Sequence, residues 1–251
     1  MPLIKVILGT TRQSRFGVQP ANWIMELSKE HPEATFELVD LAEVNLPLFE
    51  ADTPPSMVEG GNYEKEQDRE WAKIIGEADG FVFVTAEYNY SIPASLKNAI
   101  DHVGNEWNYK PVTFVSYGTV AGGARAVAHL RDIAGWTRWY DLREHVLISN
   151  LWGHLDESGK FQPNEHHTAT AHEMLTAVAF WAEMPSRQSN AAAPALCFLP
   201  GRQFTPDNND PSPTRLPVEL HGSLHHASGN DTPGRNLAVG RAGRVVVWQA
   251  E

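Results

Sequence analysis

A carboxylate, two aromatic rings and an amide fall in four consecutive positions, Glu87-Tyr88-Asn89-Tyr90, just after the apolar run Gly80-Phe81-Val82-Phe83-Val84. Rings and an amide at the carboxyl end of a buried strand can hold a flat, hydrogen-bonding ligand, and open α/β sheets bind ligands at that end. A second stretch, Gly9-Thr10-Thr11-Arg12-Gln13-Ser14-Arg15-Phe16-Gly17, joins the apolar run Leu3–Leu8 to a helical pattern. Its hydroxyls and the following helix N-terminus suit an anion such as a phosphate. Arg12 and Arg15 add charge and forked donors. This loop is neither a Walker A, which needs Gly-Lys-Ser/Thr, nor a dinucleotide GxGxxG. A third stretch, Ser116-Tyr117-Gly118-Thr119-Val120-Ala121-Gly122-Gly123-Ala124-Arg125-Ala126, ends another apolar run. Its paired glycines let backbone N–H groups approach a flat ligand closely. Here Arg125 reads as a structural cap or ion-pair partner.

Positioning three such loops side by side requires a parallel sheet. Apolar runs alternate with helical patterns, which predicts a sheet covered by helices on both faces. Strands are expected at Leu3–Leu8, Phe36–Asp40, Phe81–Thr85, Pro111–Tyr117 and Arg143–Ser149. Phe36–Asp40 is the least apolar and reads as an edge. Helices are expected at about 17–31, 64–78, 93–102, 123–134 and 163–184. Trp71, Ile74 and Ala78 share one face, as do Val127, Leu130 and Ala134, and Met174, Val178 and Trp181. Pro93 sits where a helix tolerates a missing N–H. Residues 45–62 hold Pro47, Pro54, Pro55, Gly60 and Gly61, and read as a long surface loop. Right-handed crossovers give a flavodoxin-like, doubly wound five-stranded parallel sheet of order 2-1-3-4-5, with the switch point between strands 1 and 3.

Composition narrows the function classes. The net charge of -11 argues against nucleic acid and against an anionic membrane surface as partners. The single cysteine, Cys197, rules out an intrachain disulfide and a thiolate cluster. The amino-terminal residues do not read as a signal peptide, and no apolar run approaches the ~20 residues of a membrane span. A cytoplasmic location is therefore expected. His166, His167 and His172 lack the His-Glu-x-x-His spacing, and no metal site is expected. From Pro185 onward, eight prolines and six glycines without sustained periodicity predict a disordered tail over 185–251, following an α/β domain over 1–184.

Taken together, the three loops resemble those of the NADPH-dependent FMN reductase family, over about residues 3–184. The first is similar to its G-S-x-R-x-x-[RS] phosphate loop, with Thr10 keeping the hydroxyl of the usual serine. The second is similar to its Pro-Glu-Tyr-Asn loop, with Ala86 in place of the proline. The third resembles its S-Y-G-x-x-G-G-x-R-A segment. The resemblance implies FMN as cofactor and NADPH or NADH as co-substrate. It implies a hydride passing from nicotinamide C4 to flavin N5, then electrons to a quinone, azo, metal-oxyanion or flavin acceptor by ping-pong kinetics. It places Thr10, Arg12, Arg15, Phe16 and Gly17 at the phosphate. Glu87, Tyr88, Asn89, Tyr90, Ser116, Tyr117, Gly118 and Gly122 fall around the flavin ring. No residue need serve as a catalytic acid or base in the first half-reaction. A homodimer or homotetramer is implied, with the flavin near the subunit interface. Two other readings remain compatible with the residues: a flavodoxin-type electron carrier, and a non-enzymatic interaction protein with a degenerate flavin site.

Overall fold

The computed structural model describes residues 1–184; the expected disordered tail, 185–251, lies outside the described residues. Four parallel strands form the body of the sheet: β1 (Leu3–Leu8), β2 (Thr35–Asp40), β3 (Gly80–Ala86) and β4 (Pro111–Tyr117). Their order is β2-β1-β3-β4. The edge beyond β4 is shared by two short strands in series, β5 (Tyr140–Asp141) and β6 (Val146–Ile148). The sheet therefore has the expected order, but the fifth position is split, and its second strand starts later than Arg143. His145 Nδ1 bonds the Arg143 carbonyl at 2.9 Å. In the same stretch the Thr113 hydroxyl donates to Glu144 O.

All seven residues of β3 and of β4 are buried, whereas β2 is half exposed, as its weaker apolar pattern required. Side chains alternate between two cores. Ile7, Phe81, Phe83 and Phe114 meet α3 (Glu66–Glu77), α4 (Ala94–Asp101) and α5 (Ala124–Thr137). Val6, Leu8, Val82, Val84 and Val115 meet α1 (Val18–Leu27) and α6 (Glu165–Glu183).

Two departures from the sequence reading concern which helix face is buried. On α3 the buried stripe is Asp68, Trp71, Ala72 and Ile75, with Ile74 only partly covered. On α6, Met174 and Val178 are fully buried but Trp181 is 46% exposed, because the buried stripe runs through Leu175 and Ala179. A short helix not foreseen, α2 (Leu41–Val44), follows β2 directly; Asp40 caps it by accepting from the Ala42 N–H at 2.9 Å. It ends at Asn45, which takes the left-handed conformation that asparagine tolerates.

Buried indoles fix α4. Trp71 Nε1 donates to Ala99 O at 2.7 Å and Trp107 Nε1 to Ile100 O at 3.1 Å. Both carbonyls belong to the last turn, where the helix leaves them without intrahelical partners.

Candidate functional site

β1, β3 and β4 end at one rim of the sheet, with Leu8 opposite Val84 and Ala86 opposite Tyr117. The three loops singled out in the sequence leave the sheet from these ends and are joined to one another. The Gly9 N–H donates to Val84 O at 2.9 Å, and Ser95 Oγ of α4 donates to Gly9 O at 2.7 Å. Thr10 Oγ1 and the Tyr117 hydroxyl lie 3.4 Å apart, joining the first loop to the end of β4. The Glu87 N–H donates to Tyr117 O at 3.1 Å, joining the second to the third.

The first loop divides its two arginines between different tasks. Arg12 is exposed, and its guanidinium has no protein partner among the described residues. Arg15 is half-buried and forms an ion pair with Asp40, the last residue of β2. Its Nε is buried without a partner. A buried N–H left unpaired costs about 1–3 kcal/mol, which a ligand oxygen or water can offset. Phe16 packs edge-on against Tyr117 with ring centroids 5.1 Å apart. A Cβ on Gly17 would lie 2.5 Å from the Tyr117 hydroxyl and 2.8 Å from Leu8 Cδ1, so a larger residue here would have to displace one of these side chains. Burial pushes the Tyr117 phenol up to about 12, against the opposing bond from Thr10. It is a neutral donor or acceptor throughout the physiological range.

The second loop is a two-residue hairpin. Tyr88 and Ser91 exchange both backbone bonds, 2.9 and 3.0 Å, while Asn89 and Tyr90 have φ of 49° and 70°. Positive φ at both central positions is the type I′ geometry; Asn tolerates it well and Tyr does not. The strain is met by support from α5. The Arg125 guanidinium lies 3.9 Å from the Tyr90 ring centroid, and Ser91 Oγ is 2.8 Å from His129 Nδ1. Glu87 accepts from the Arg125 N–H at 3.0 Å and from its Nη1 at 2.5 Å. Glu87 thus fastens two loops together, and Asn89 and Tyr90 are the exposed members of the segment.

The third loop turns on Gly122 and Gly123, with φ of 58° and 90°. A Cβ on Gly122 would sit 2.4 Å from Leu147 Cδ2, and one on Gly123 would sit 2.7 Å from Ser116 Cβ. Ser116 is fully buried and donates to Gly122 O at 2.9 Å, so its side chain shapes the turn. The Gly118 N–H donates to Ile148 O and the Asn150 N–H to Thr119 O, tying the turn to β6 and the segment after it.

All thirteen residues singled out in the sequence lie in these three connected segments. The exposed or accessible ones, Arg12, Tyr88, Asn89, Tyr90 and the backbone of Gly118, could touch a ligand. Thr10, Arg15, Glu87, Ser116 and Tyr117 make internal contacts that hold the loops. Sequence reasoning missed Asp40 and Ser95. Asp40 carried a readable signal, a carboxylate ending a strand beside the first loop; Ser95 carried none beyond a common helix-start hydroxyl.

Beside the first loop lies a pocket of about 400 Å³, lined by neutral side chains that include Thr11, Leu41, Leu46, Leu48, Ser95 and Asn98. Among the described residues no group of His, Cys, Asp or Glu could hold a metal ion, and no helix is long and apolar enough to cross a membrane.

Ligand-ready loops at the carboxyl ends of three adjacent parallel strands define an α/β protein of flavodoxin-like class. The model of the NADPH-dependent FMN reductase family matches residues 2–153. An NAD(P)H-dependent FMN reductase of Schizosaccharomyces pombe is 41% identical over 138 residues, covering 55% of this chain and 68% of that protein. An NADPH:quinone oxidoreductase of Arabidopsis thaliana is 35% identical over 138 residues, covering 53% and 67%. Among solved structures, an NAD(P)H:(acceptor) oxidoreductase of Paracoccus denitrificans superposes with a TM-score of 0.57 at 21% identity, covering 73% of this chain and 98% of that one, which shows a shared fold. The chain belongs to the NADPH-dependent FMN reductase family. It is an oxidoreductase that uses FMN and NAD(P)H.

The loop chemistry fits FMN. An exposed, unpaired arginine and an orphaned buried N–H on one hydroxyl-rich loop suit a phosphate. The turn between Gly118 and Gly122 leaves Thr119 and Val120 exposed, so its backbone is open to a flat ring.

Proposed function

We propose that the chain reduces a quinone with electrons from NAD(P)H, using FMN held across the three loops. One observation carries this reading: the anion-suited first loop and the two tyrosine- and glycine-bearing loops are hydrogen-bonded into one rim. Relatives named as quinone reductases in Arabidopsis thaliana and Escherichia coli support a quinone as acceptor.

When bound, FMN supplies a two-electron relay, taking a hydride from NAD(P)H and releasing two electrons to the acceptor. The residues of this chain bind and orient. Arg12 and the N-terminus of α1 hold the phosphate. Arg15, anchored by Asp40, fixes the loop's path and offers its Nε–H. Asn89 and the N–H groups of Thr119, Val120 and Ala121, between Gly118 and Gly122, would meet the polar edge of the ring, and Tyr88 or Tyr90 would pack beside it. Rate then depends on holding donor and acceptor near contact at one face, with no side chain required to take a proton from the nicotinamide.

Steady-state initial rates with NADPH and 1,4-benzoquinone varied together test the reading. Parallel double-reciprocal lines, the ping-pong pattern, are expected. NADPH oxidation unaffected by benzoquinone would sink the quinone assignment; a bound flavin that NADPH and NADH leave oxidised would instead favour an electron carrier.

A further inference from the structure

The three rim segments carry three arginines, Arg12, Arg15 and Arg125, and the last has no part in holding the FMN phosphate. Arg15 is committed to Asp40, and Arg12 stands on the loop suited to that phosphate. Arg125 lies in the first turn of α5 with its side chain 43% exposed. A guanidinium has five N–H donors and keeps its charge throughout the range in which proteins fold. Glu87 takes one of these donors, and among the described residues the guanidinium makes no other protein hydrogen bond. Glu87 is 11% exposed, so the carboxylate lies on the inner side of the pair and the remaining donors face outward.

The guanidinium is positioned by the same hairpin that would meet the flavin ring. It lies 3.9 Å from the centroid of the Tyr90 ring, and Tyr90 is 66% exposed with φ of 70°. An aromatic residue is strained in that backbone region, and here the strained residue presents its ring to Arg125 instead of to the core. Stacking on a flat ring restricts the rotamers of a long side chain, so less freedom is left to lose when the guanidinium meets a ligand. β1 and β4 flank β3, so Arg12 and Arg125 belong to segments on opposite sides of the hairpin. FMN has one phosphate, and the first loop suits it. NAD(P)H brings a pyrophosphate, and NADPH a 2′-phosphate as well. A chain of net charge -11 repels these groups wherever no cation stands.

We propose that Arg125 is a binding residue for the co-substrate: its guanidinium, stacked on Tyr90, holds a phosphoryl group of NAD(P)H while the nicotinamide lies at the flavin. The proposal rests on the placement of FMN across the three loops given above. A planar fork of N–H donors matches phosphoryl oxygens, and hydrogen bonds between two charged groups are the strong ones. The pyrophosphate shared by NADPH and NADH and the 2′-phosphate of NADPH alone offer the same chemistry, and comparing the two co-substrates tells them apart.

The test compares the FMN-loaded full chain with Arg125→Gln and Arg125→Lys, following flavin bleaching without oxygen in a stopped-flow instrument. The donors are NADPH, NADH and 1-benzyl-1,4-dihydronicotinamide, a neutral hydride donor that carries no phosphate. In Arg125→Gln the NADPH concentration giving half the limiting rate should rise about tenfold or more, with the limiting rate within about threefold of the parent. The rate with the benzyl donor should stay within about twofold, because that donor offers the guanidinium nothing to hold. Arg125→Lys keeps a cation on the same backbone and should lose less than Arg125→Gln, about threefold or more. A loss shared by NADPH and NADH assigns the pyrophosphate to Arg125, and a loss confined to NADPH assigns the 2′-phosphate. An unchanged NADPH dependence would overturn the proposal. An equal loss with the benzyl donor would also overturn it, leaving Arg125 as a brace of the ring site. If Arg125→Gln retains no FMN, the same comparison in Arg125→Lys decides. A parent protein that binds no FMN would overturn the ring placement and this proposal together, whereas variants that match a parent bleached by NADPH would overturn this proposal alone.

Discussion

Glu87 and Arg125 are joined twice, once through the Arg125 backbone N–H and once through its guanidinium, and this pair of bonds ties the hairpin after β3 to the first turn of α5. The same guanidinium covers one face of Tyr90. A carboxylate beside the first turn of α5 also meets the positive end of its dipole. Two of the three rim loops therefore depend on one ion pair. Glu87→Gln keeps an acceptor for the N–H but loses the charge pair. It should raise the FMN dissociation constant about three- to tenfold, and Glu87→Ala more. Fluorescence titration of apo protein with FMN measures both; an unchanged constant in Glu87→Ala would remove the strut role.

The two arginines of the first loop should separate by experiment. Arg12 has no protein partner among the described residues, so Arg12→Ala should weaken FMN binding about 10- to 100-fold with the melting temperature of apo protein nearly unchanged. Arg15 holds Asp40, so Arg15→Ala should lower the stability of apo protein as well. Apo-protein thermal melts and FMN titrations on the two variants make the comparison. Equal effects of both substitutions on apo stability would contradict this division of labour.

Three glycines offer a graded test of the rim. Gly122→Ala and Gly123→Ala place a Cβ against Leu147 and Ser116 at positive φ. Each should destabilise by roughly 2 kcal/mol or more and impair FMN retention. At Gly135, in the last turn of α5, an added methyl group would meet nothing within 4 Å. Gly135→Ala should stabilise by roughly 0.5–1 kcal/mol, the helix-propensity difference. Urea denaturation distinguishes the two signs.

Lys110 gives the fold a pH dependence far from the rim. It is buried at the foot of β4, where its ammonium donates to Ile75 O at 2.7 Å and Gly76 O at 3.2 Å. Burial brings the ammonium down to about 8, with Asp79 opposing. The folded pKa lies below the unfolded one, so the unfolded chain binds more protons between about 8 and the ordinary lysine value. Through that window stability attributable to Lys110 rises with pH, by up to about 1.4 kcal/mol per pH unit, and it levels off at its lowest below the folded pKa. Lys110→Met should flatten this part of the curve. Denaturation of both proteins at about pH 7.5 and about pH 9.5, either side of the folded value, provides the check; identical pH differences would contradict it.

The sheet was legible in the sequence because β1, β3 and β4 are mainly apolar and lack polar alternation, as strands covered on both faces do. The fifth position was read as one strand because Arg143–Ser149 looks continuous; at the break the Arg143 and Glu144 carbonyls meet the side chains of His145 and Thr113, which no periodicity reveals. The loops were legible as a set, since glycine, hydroxyl and arginine types have clear uses at strand ends. Which residue faces a ligand and which one braces a loop was not. Glu87 and Arg15 look like ligand groups by type, and only their partners, Arg125 and Asp40, show what they hold.

The visible absorption spectrum of the purified full chain, followed without oxygen as NADPH is added, tests the central claim most directly. The account predicts a bound-flavin spectrum that bleaches stoichiometrically with NADPH and recovers on adding 1,4-benzoquinone. A protein that shows no flavin spectrum even after incubation with FMN, or a bound flavin that neither NADPH nor NADH bleaches, would contradict it.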